Sequence, residues 1–172
     1  MRIPRLSAAW SPCLALTLLS MSHLASPVAA GTLDYDAGLR ASIYDDNYKL
    51  GVGGELGAVA GVAPNWDIGL HLNYSHFAPK TETWTATEEF GGYVTAYFLP
   101  SIDQPFTLRL GPHAGVTKIR NTFVDLGGDI MAVFQVMPKT RFYANFVPSF
   151  LIGKDSQSIF RVGIGVEYRP GE

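Results

Sequence analysis

The sequence predicts an all-β fold, an eight-stranded antiparallel up-and-down transmembrane β-barrel, and three observations point there. An apolar leader opens the chain. Beyond it, apolar residues alternate with polar residues or glycine at period two through eight successive segments. Of the two faces this alternation creates, one carries essentially no charge, while the other collects most of the Asp, Glu, Lys and Arg of the segments. A soluble barrel turns its apolar face inward, whereas a barrel surrounded by acyl chains turns it outward.

The leader comes first. Met1 to Arg5 is basic through Arg2 and Arg5, Ala8 to Leu24 is mostly apolar, and Pro27-Val28-Ala29-Ala30 supplies the small residues that suit signal peptidase. Residues 1–30 are expected to be a cleaved signal peptide and 31–172 the barrel domain. The short apolar core and the good cleavage site argue against an uncleaved anchor. A lipoprotein is excluded because Cys13 precedes the main apolar run. No other segment offers the ~20 consecutive apolar residues of a membrane helix. Cys13 is the only cysteine, so no disulfide is expected in the exported chain. With 13 Lys and Arg, two of them in the leader, against 15 Asp and Glu, nothing suggests nucleic acid as a partner.

The strands follow in order. The first, near 33–44, points Tyr35, Ala37, Leu39 and Ala41 one way and Asp34, Asp36 and Arg40 the other, and ends at Asp45-Asp46-Asn47. The second, near 48–62, sets Val52, Leu56 and Ala58 against Glu55 and ends at Ala63-Pro64-Asn65. The third, near 66–78, sets Trp66, Ile68, Leu70 and Leu72 against Asp67 and His71. A connection from Pro79 to Thr87 leads to the fourth, near 88–99, with Phe90, Val94 and Phe98 opposite Glu89, Tyr93 and Tyr97. Pro100 to Pro105 precedes the fifth, near 105–118, where Phe106, Leu108, Leu110 and Val116 alternate with Arg109 and His113. The sixth, near 122–136, opposes Val124, Leu126 and Ile130 to Asp125 and Asp129, and Pro138-Lys139-Thr140 closes it. The seventh, near 141–152, carries Phe142, Phe146 and Phe150, and Lys154 to Gln157 leads to the eighth, near 158–168, with Val162, Ile164 and Val166 opposite Arg161 and Glu167. No connection has room for a crossover helix, so sequence neighbours pair as an antiparallel meander. An even strand count closes the sheet and leaves no unpaired edge in lipid.

Aromatic residues gather near strand ends (Tyr35, Trp66, Tyr74, Phe90, Phe98, Phe106, Phe142, Tyr168), where interfacial girdles belong. The inward face is expected to form a luminal polar network of Arg40, Glu55, Asp67, His71, Arg109, His113, Asp129, Arg161 and Glu167. Glycines occupy many of the remaining inward slots, as a narrow lumen packed with side chains requires.

These segments, from Leu33 to Tyr168, resemble the small outer-membrane barrels typified by the OmpA transmembrane domain and OmpX. The ending Gly163-Ile164-Gly165-Val166-Glu167-Tyr168 is similar to the signal by which the barrel-assembly machinery recognises its clients, although Tyr stands in place of Phe and Arg169 to Glu172 overhang it. The resemblance implies residence in the outer membrane of a Gram-negative bacterium, contact with outer-membrane lipid and lipopolysaccharide, insertion by that machinery, and both termini on the periplasmic side. No peptidoglycan-binding domain is expected after the barrel. Of the outer loops this implies, only Pro79 to Thr87 has any reach, which departs from adhesive members of the class.

Several residues invite sharper readings. His71 and His113 share the inward face with Glu55, Asp67, Asp125 and Asp129, but no close ligand spacing supports a metal, and histidines hydrogen-bonded within a polar plug are the simpler expectation. Tyr74-Ser75-His76 suggests the His and Ser pair of a small outer-membrane lipid A deacylase family, yet adjacent strand residues point to opposite faces, so Ser75 and His76 are not expected to meet. Gly51 to Gly57 lies within a strand pattern with no following helix, so close packing explains it better than phosphate binding. Pro112 and Pro148 fall mid-strand and predict a bulge or weak pairing. Lys118, Arg120 and Lys154 stand near outer loops, either as lipopolysaccharide phosphate contacts or as ordinary solvated charge.

The expected function is that of a non-enzymatic outer-membrane protein with an ion-paired, plugged lumen that supports envelope integrity or surface interaction, without catalytic residues or cofactor. The alternatives are a narrow porin-like channel for small solutes or ions, a lipid A-modifying enzyme, and, if the faces were inverted, an exported lipocalin-like carrier.

Overall fold

A computed structural model describes residues 31–44, 48, 50–81, 85–101 and 105–170. The leader and the first predicted outer loop, 45–47, lie outside the described residues. The strands are β1 (Leu33–Ile43), β2 (Gly51–Ala63), β3 (Trp66–Phe77), β4 (Thr87–Ser101), β5 (Phe106–Ile119), β6 (Asn121–Met137), β7 (Thr140–Ile152) and β8 (Gln157–Tyr168). Each pairs antiparallel with its sequence neighbours, and β1 pairs with β8, so the sheet is a closed barrel. One end carries the start of β1, the end of β8 and the β2–β3, β4–β5 and β6–β7 connections; the other carries the four remaining connections and is called the loop end below.

The alternation sorts side chains as the transmembrane reading requires. Leu39, Leu70 and Ile164 are 71%, 53% and 60% exposed, whereas Arg40, Arg109 and Arg161 are 2%, 1% and 0% exposed. Three arginines are thus among the largest fully buried side chains. This is a soluble barrel turned inside out, the arrangement that an apolar surrounding stabilises.

Element ends shift by a few residues from the sequence expectation. β2 begins at Gly51 rather than 48, with Tyr48 held apart in an isolated bridge to Pro79. Register shifts lie at Gly61/Ala63, Phe98/Ser101 and Gln135/Met137, each an extra residue near the strand ends opposite the loop end. Asn65 makes its turn at φ 63, a left-handed conformation its short amide tolerates.

Pro112 and Pro148 weaken pairing without shifting register. Pro112 pairs with Gly128 of β6, but the β4 ladder skips from Thr95↔His113 to Phe98↔Leu110. Pro148 pairs with Phe160 of β8, but the β6 ladder skips from Gly127↔Ser149 to Ile130↔Phe146. The missing N–H of each therefore faces the skipped side.

The lumen is not polar throughout. At the loop end Tyr48, Phe77, Ile119, Phe123, Leu151 and Ile159 form a buried apolar layer. Nearer the termini Val59, Tyr97, Leu99, Met131, Val133 and Tyr143 form a second. The buried ionisable side chains lie between these layers or beyond the second, toward the start of β1 and the end of β8.

Candidate functional site

Three ion-pair clusters fill the interior, each assembled from distant strands by the register. The first centres on Arg161 of β8. Its Nε donates to Glu89 of β4 at 2.6 Å, Nη2 to Asp125 of β6 at 2.8 Å, and Nη1 to Ser149 of β7 at 2.6 Å. Thr117 donates to Asp125 at 2.7 Å while accepting from Arg161 at 3.1 Å, and Asn73 donates to Glu89 at 2.7 Å. His113 Nε2 lies 3.1 Å from both Asp125 and Ser149, so this predicted site residue joins the same cluster.

The second cluster spans the middle of the barrel. Arg40 Nη2 reaches Glu55 at 2.9 Å and donates to Tyr93 at 2.8 Å, while Tyr143 and Asn145 donate to Glu55 Oε1 at 2.9 and 3.1 Å. Tyr93 is sandwiched between two imidazoles, with its ring centroid 5.2 Å from His71 and 4.8 Å from His113. Tyr97 donates to Asp129 at 2.5 Å. A phenol has one proton, so His71 Nε2, 3.0 Å from the same oxygen, is the donor there. His71 Nδ1 then faces Asp36 Oδ1 at 3.7 Å. The glycines fit this crowding: a Cβ on Gly57 would lie 2.5 Å from His71 Nδ1 and 2.6 Å from Asp36 Oδ1.

The third cluster closes the end that carries the termini. Arg109 of β5 donates to Asp67 at 2.9 Å, to Asp34 at 3.3 Å and to Glu167 in a short contact. Arg141 meets Glu167 at 2.6 Å and also Asp34, and Arg169 forks onto Asp34 at 2.8 and 3.0 Å. Arg169 belongs to the overhang beyond the last strand, where sequence reasoning placed no function.

The charge balance differs between these regions. Arg109, Arg141 and Arg169 face Asp34, Asp67 and Glu167, so the third cluster is neutral. Between the apolar layers, among the described residues, two buried arginines, Arg40 and Arg161, stand against Asp36, Glu55, Glu89, Asp125 and Asp129. Among the described residues no group of three or more His, Cys, Asp or Glu is arranged to hold a metal ion.

The sequence signals outside the lumen separate cleanly. Ser75 is fully buried and hydrogen-bonded to Ser42 at 2.9 Å, whereas His76 lies exposed on the outer wall, so the two do not form a catalytic pair. Lys118 is exposed on the outer wall of β5, Lys154 is exposed between β7 and β8, and Arg120 sits at φ 57 in the β5–β6 turn with its guanidinium 5.5 Å from the Tyr48 ring.

No protein-family model and no curated protein matches this chain. Among solved structures, Neisserial surface protein A is similar with a TM-score of 0.63 at 12% identity, covering 81% of this chain and 96% of its own. OprG from Pseudomonas aeruginosa is similar at 0.59 and 10% identity, over 83% of this chain and 97% of that one. Ail, the attachment invasion locus protein of Yersinia pestis, is similar at 0.58 and 16% identity, over 81% and 99%. The fold is that of the small outer-membrane barrels. At these identities the likeness establishes architecture, and function rests on the chemistry of the chain's own residues.

Against that architecture, the two apolar layers are the part of the interior that sequence reasoning missed. The signal was present: Ile130-Met131-Ala132-Val133-Phe134 and Phe150-Leu151-Ile152 are apolar on both faces, which a purely polar lumen does not require.

Proposed function

We propose that this chain is a non-enzymatic outer-membrane protein whose lumen is sealed, and that it supports the envelope as a rigid cylinder set among lipid and lipopolysaccharide. Residues 1–30 serve as the export signal and are removed. The barrel-assembly machinery inserts residues 31–172, with the loop end facing outward. The single observation that carries the sealed reading is the burial of Arg161 with ligands from β4, β5, β6 and β7, which ties opposite walls together across the axis. Apolar layers on either side of the central charges add two further barriers to ions. The position of Lys118, Arg120 and Lys154 at or near the loop end suits contact with lipopolysaccharide phosphates.

Single-channel recording in planar bilayers tests the seal. The sealed barrel gives no steady open levels at voltages that leave the membrane intact. Reproducible open levels from the wild-type protein favour a narrow channel and overturn the sealed reading.

A further inference from the structure

The outer wall of the barrel is not uniformly convex. A shallow apolar groove of about 650 Å³ crosses β1 to β5, lined by Ala37, Leu56, Leu72, Tyr74, Phe90 and Val116 with Gly54 and Gly92 in its floor. Both glycines occupy outward positions, where a side chain would have to push its neighbours by a few tenths of an ångström. A Cβ on Gly54 would meet only the Gly38 carbonyl, at 3.2 Å, and one on Gly92 only the Leu72 side-chain tip at 3.0 Å and the His71 carbonyl at 3.6 Å.

The register gives the groove a direction. Its lower edge is the paired row Ala37↔Leu56↔Leu72↔Gly92↔Val116; its upper edge is Gly54↔Tyr74↔Phe90, a row that continues past the groove to Leu39 on β1 and to Lys118 on β5. Leu39 lies four residues short of the loop end of β1, whereas Lys118 lies one residue short of the end of β5. The groove therefore climbs from mid-wall to the loop-end rim. Four strand spacings make it about 19 Å long, and strands tilted ~40° carry it through roughly 12 Å of depth. That depth fits within one leaflet, about half of a hydrocarbon core ~30 Å thick.

At its upper end the wall ceases to be apolar. Lys118 pairs with Phe90 and Thr122, and His76 pairs with Glu88 on the same rim. Tyr74 donates to Glu88 at 3.2 Å. The groove thus offers an apolar trough for one hydrocarbon chain and an ammonium at the level of the head groups. Resting on the outward orientation proposed above, we propose that it is a binding site for one acyl chain of lipid A, with Lys118 on a lipid A phosphate.

Native mass spectrometry of the detergent-solubilised barrel, titrated with hexa-acylated lipid A, tests this. Lys118→Gln and Gly92→Leu should each weaken binding about tenfold, the first by removing a charge-assisted hydrogen bond and the second by filling the floor. Val162→Leu, on the outer wall of β8, should leave binding unchanged. Lipid A stripped of phosphate should bind wild type and Lys118→Gln alike, and phosphatidylglycerol should bind more weakly than lipid A. Each variant must first show the heat-dependent gel shift of a folded barrel. Equal lipid A binding by wild type, Lys118→Gln and Gly92→Leu overturns the site, as does phosphatidylglycerol binding as tightly as lipid A. If Gly92→Leu converts dimers to monomers and leaves lipid A binding intact, the groove is a contact between two copies and the proposal fails. Density fractionation of cells tests the outer-membrane reading separately, so the two failures are distinguishable.

Discussion

Arg161→Met lowers the stability of the barrel by about 3–5 kcal/mol, read as a fall in the urea midpoint in lipid vesicles. The physical reason is what the substitution leaves behind. Glu89 and Asp125 both lose the cation they face, in a lumen where each side chain is fully buried. Ser149 and Thr117 lose a donor at the same time. A buried ion pair is weak evidence for stability in itself, but breaking one is costly because the remaining charge is uncompensated. The triple variant Arg161→Met, Glu89→Gln, Asp125→Asn therefore recovers most of the loss. Arg141→Met costs less than Arg161→Met, because Arg109 still serves Asp34 and Glu167 and because Arg141 is partly exposed. If Arg161→Met unfolds at the wild-type midpoint, the three clusters are not what holds the interior.

Leu70→Arg costs about 2–4 kcal/mol, the depth-dependent penalty for a cation facing the middle of a bilayer. Leu70 lies near the centre of β3 and is 53% exposed. In a barrel surrounded by water an arginine at so exposed a position would change stability by about 0.5 kcal/mol or less. Tyr35→Arg, at the terminal end of β1, costs only about 0–1 kcal/mol because an arginine near the interface reaches the head groups. Unfolding of both variants in vesicles checks the depth dependence. Equal costs at the two positions contradict a lipid-facing wall.

Much of this architecture was legible because its cause is local. The parity of Leu108 and Arg109 fixes which side each faces, and the same two-residue arithmetic works in every strand. Turn chemistry located the breaks to within three residues, and Tyr48 was misplaced because a single bridge to Pro79 leaves the same apolar signature as a strand residue. The pairing inside the lumen was not legible. Arg109 and Glu167 stand 58 residues apart, and they meet through the tilt and stagger of a closed sheet, which no local pattern encodes. Arg169 was overlooked for a related reason: an overhang has no periodicity to reveal that it folds back onto Asp34. The apolar layers were hidden by the expectation that an inward residue is polar. In a barrel this narrow, Met131 and Val133 are buried in the second apolar layer and Leu151 in the first, all on the inner face.

The most direct test of the central claim uses spin labels placed one at a time from Phe160 to Tyr168 in residues 31–172, which hold no native cysteine, with the protein reconstituted in bilayers. Labels at 160, 162, 164, 166 and 168 should be relaxed strongly by oxygen and weakly by a water-soluble nickel chelate. Those at 161, 163, 165 and 167 should be protected from both reagents. Nickel access at the even positions, rising above oxygen access through the middle of the strand, would contradict a wall that faces acyl chains.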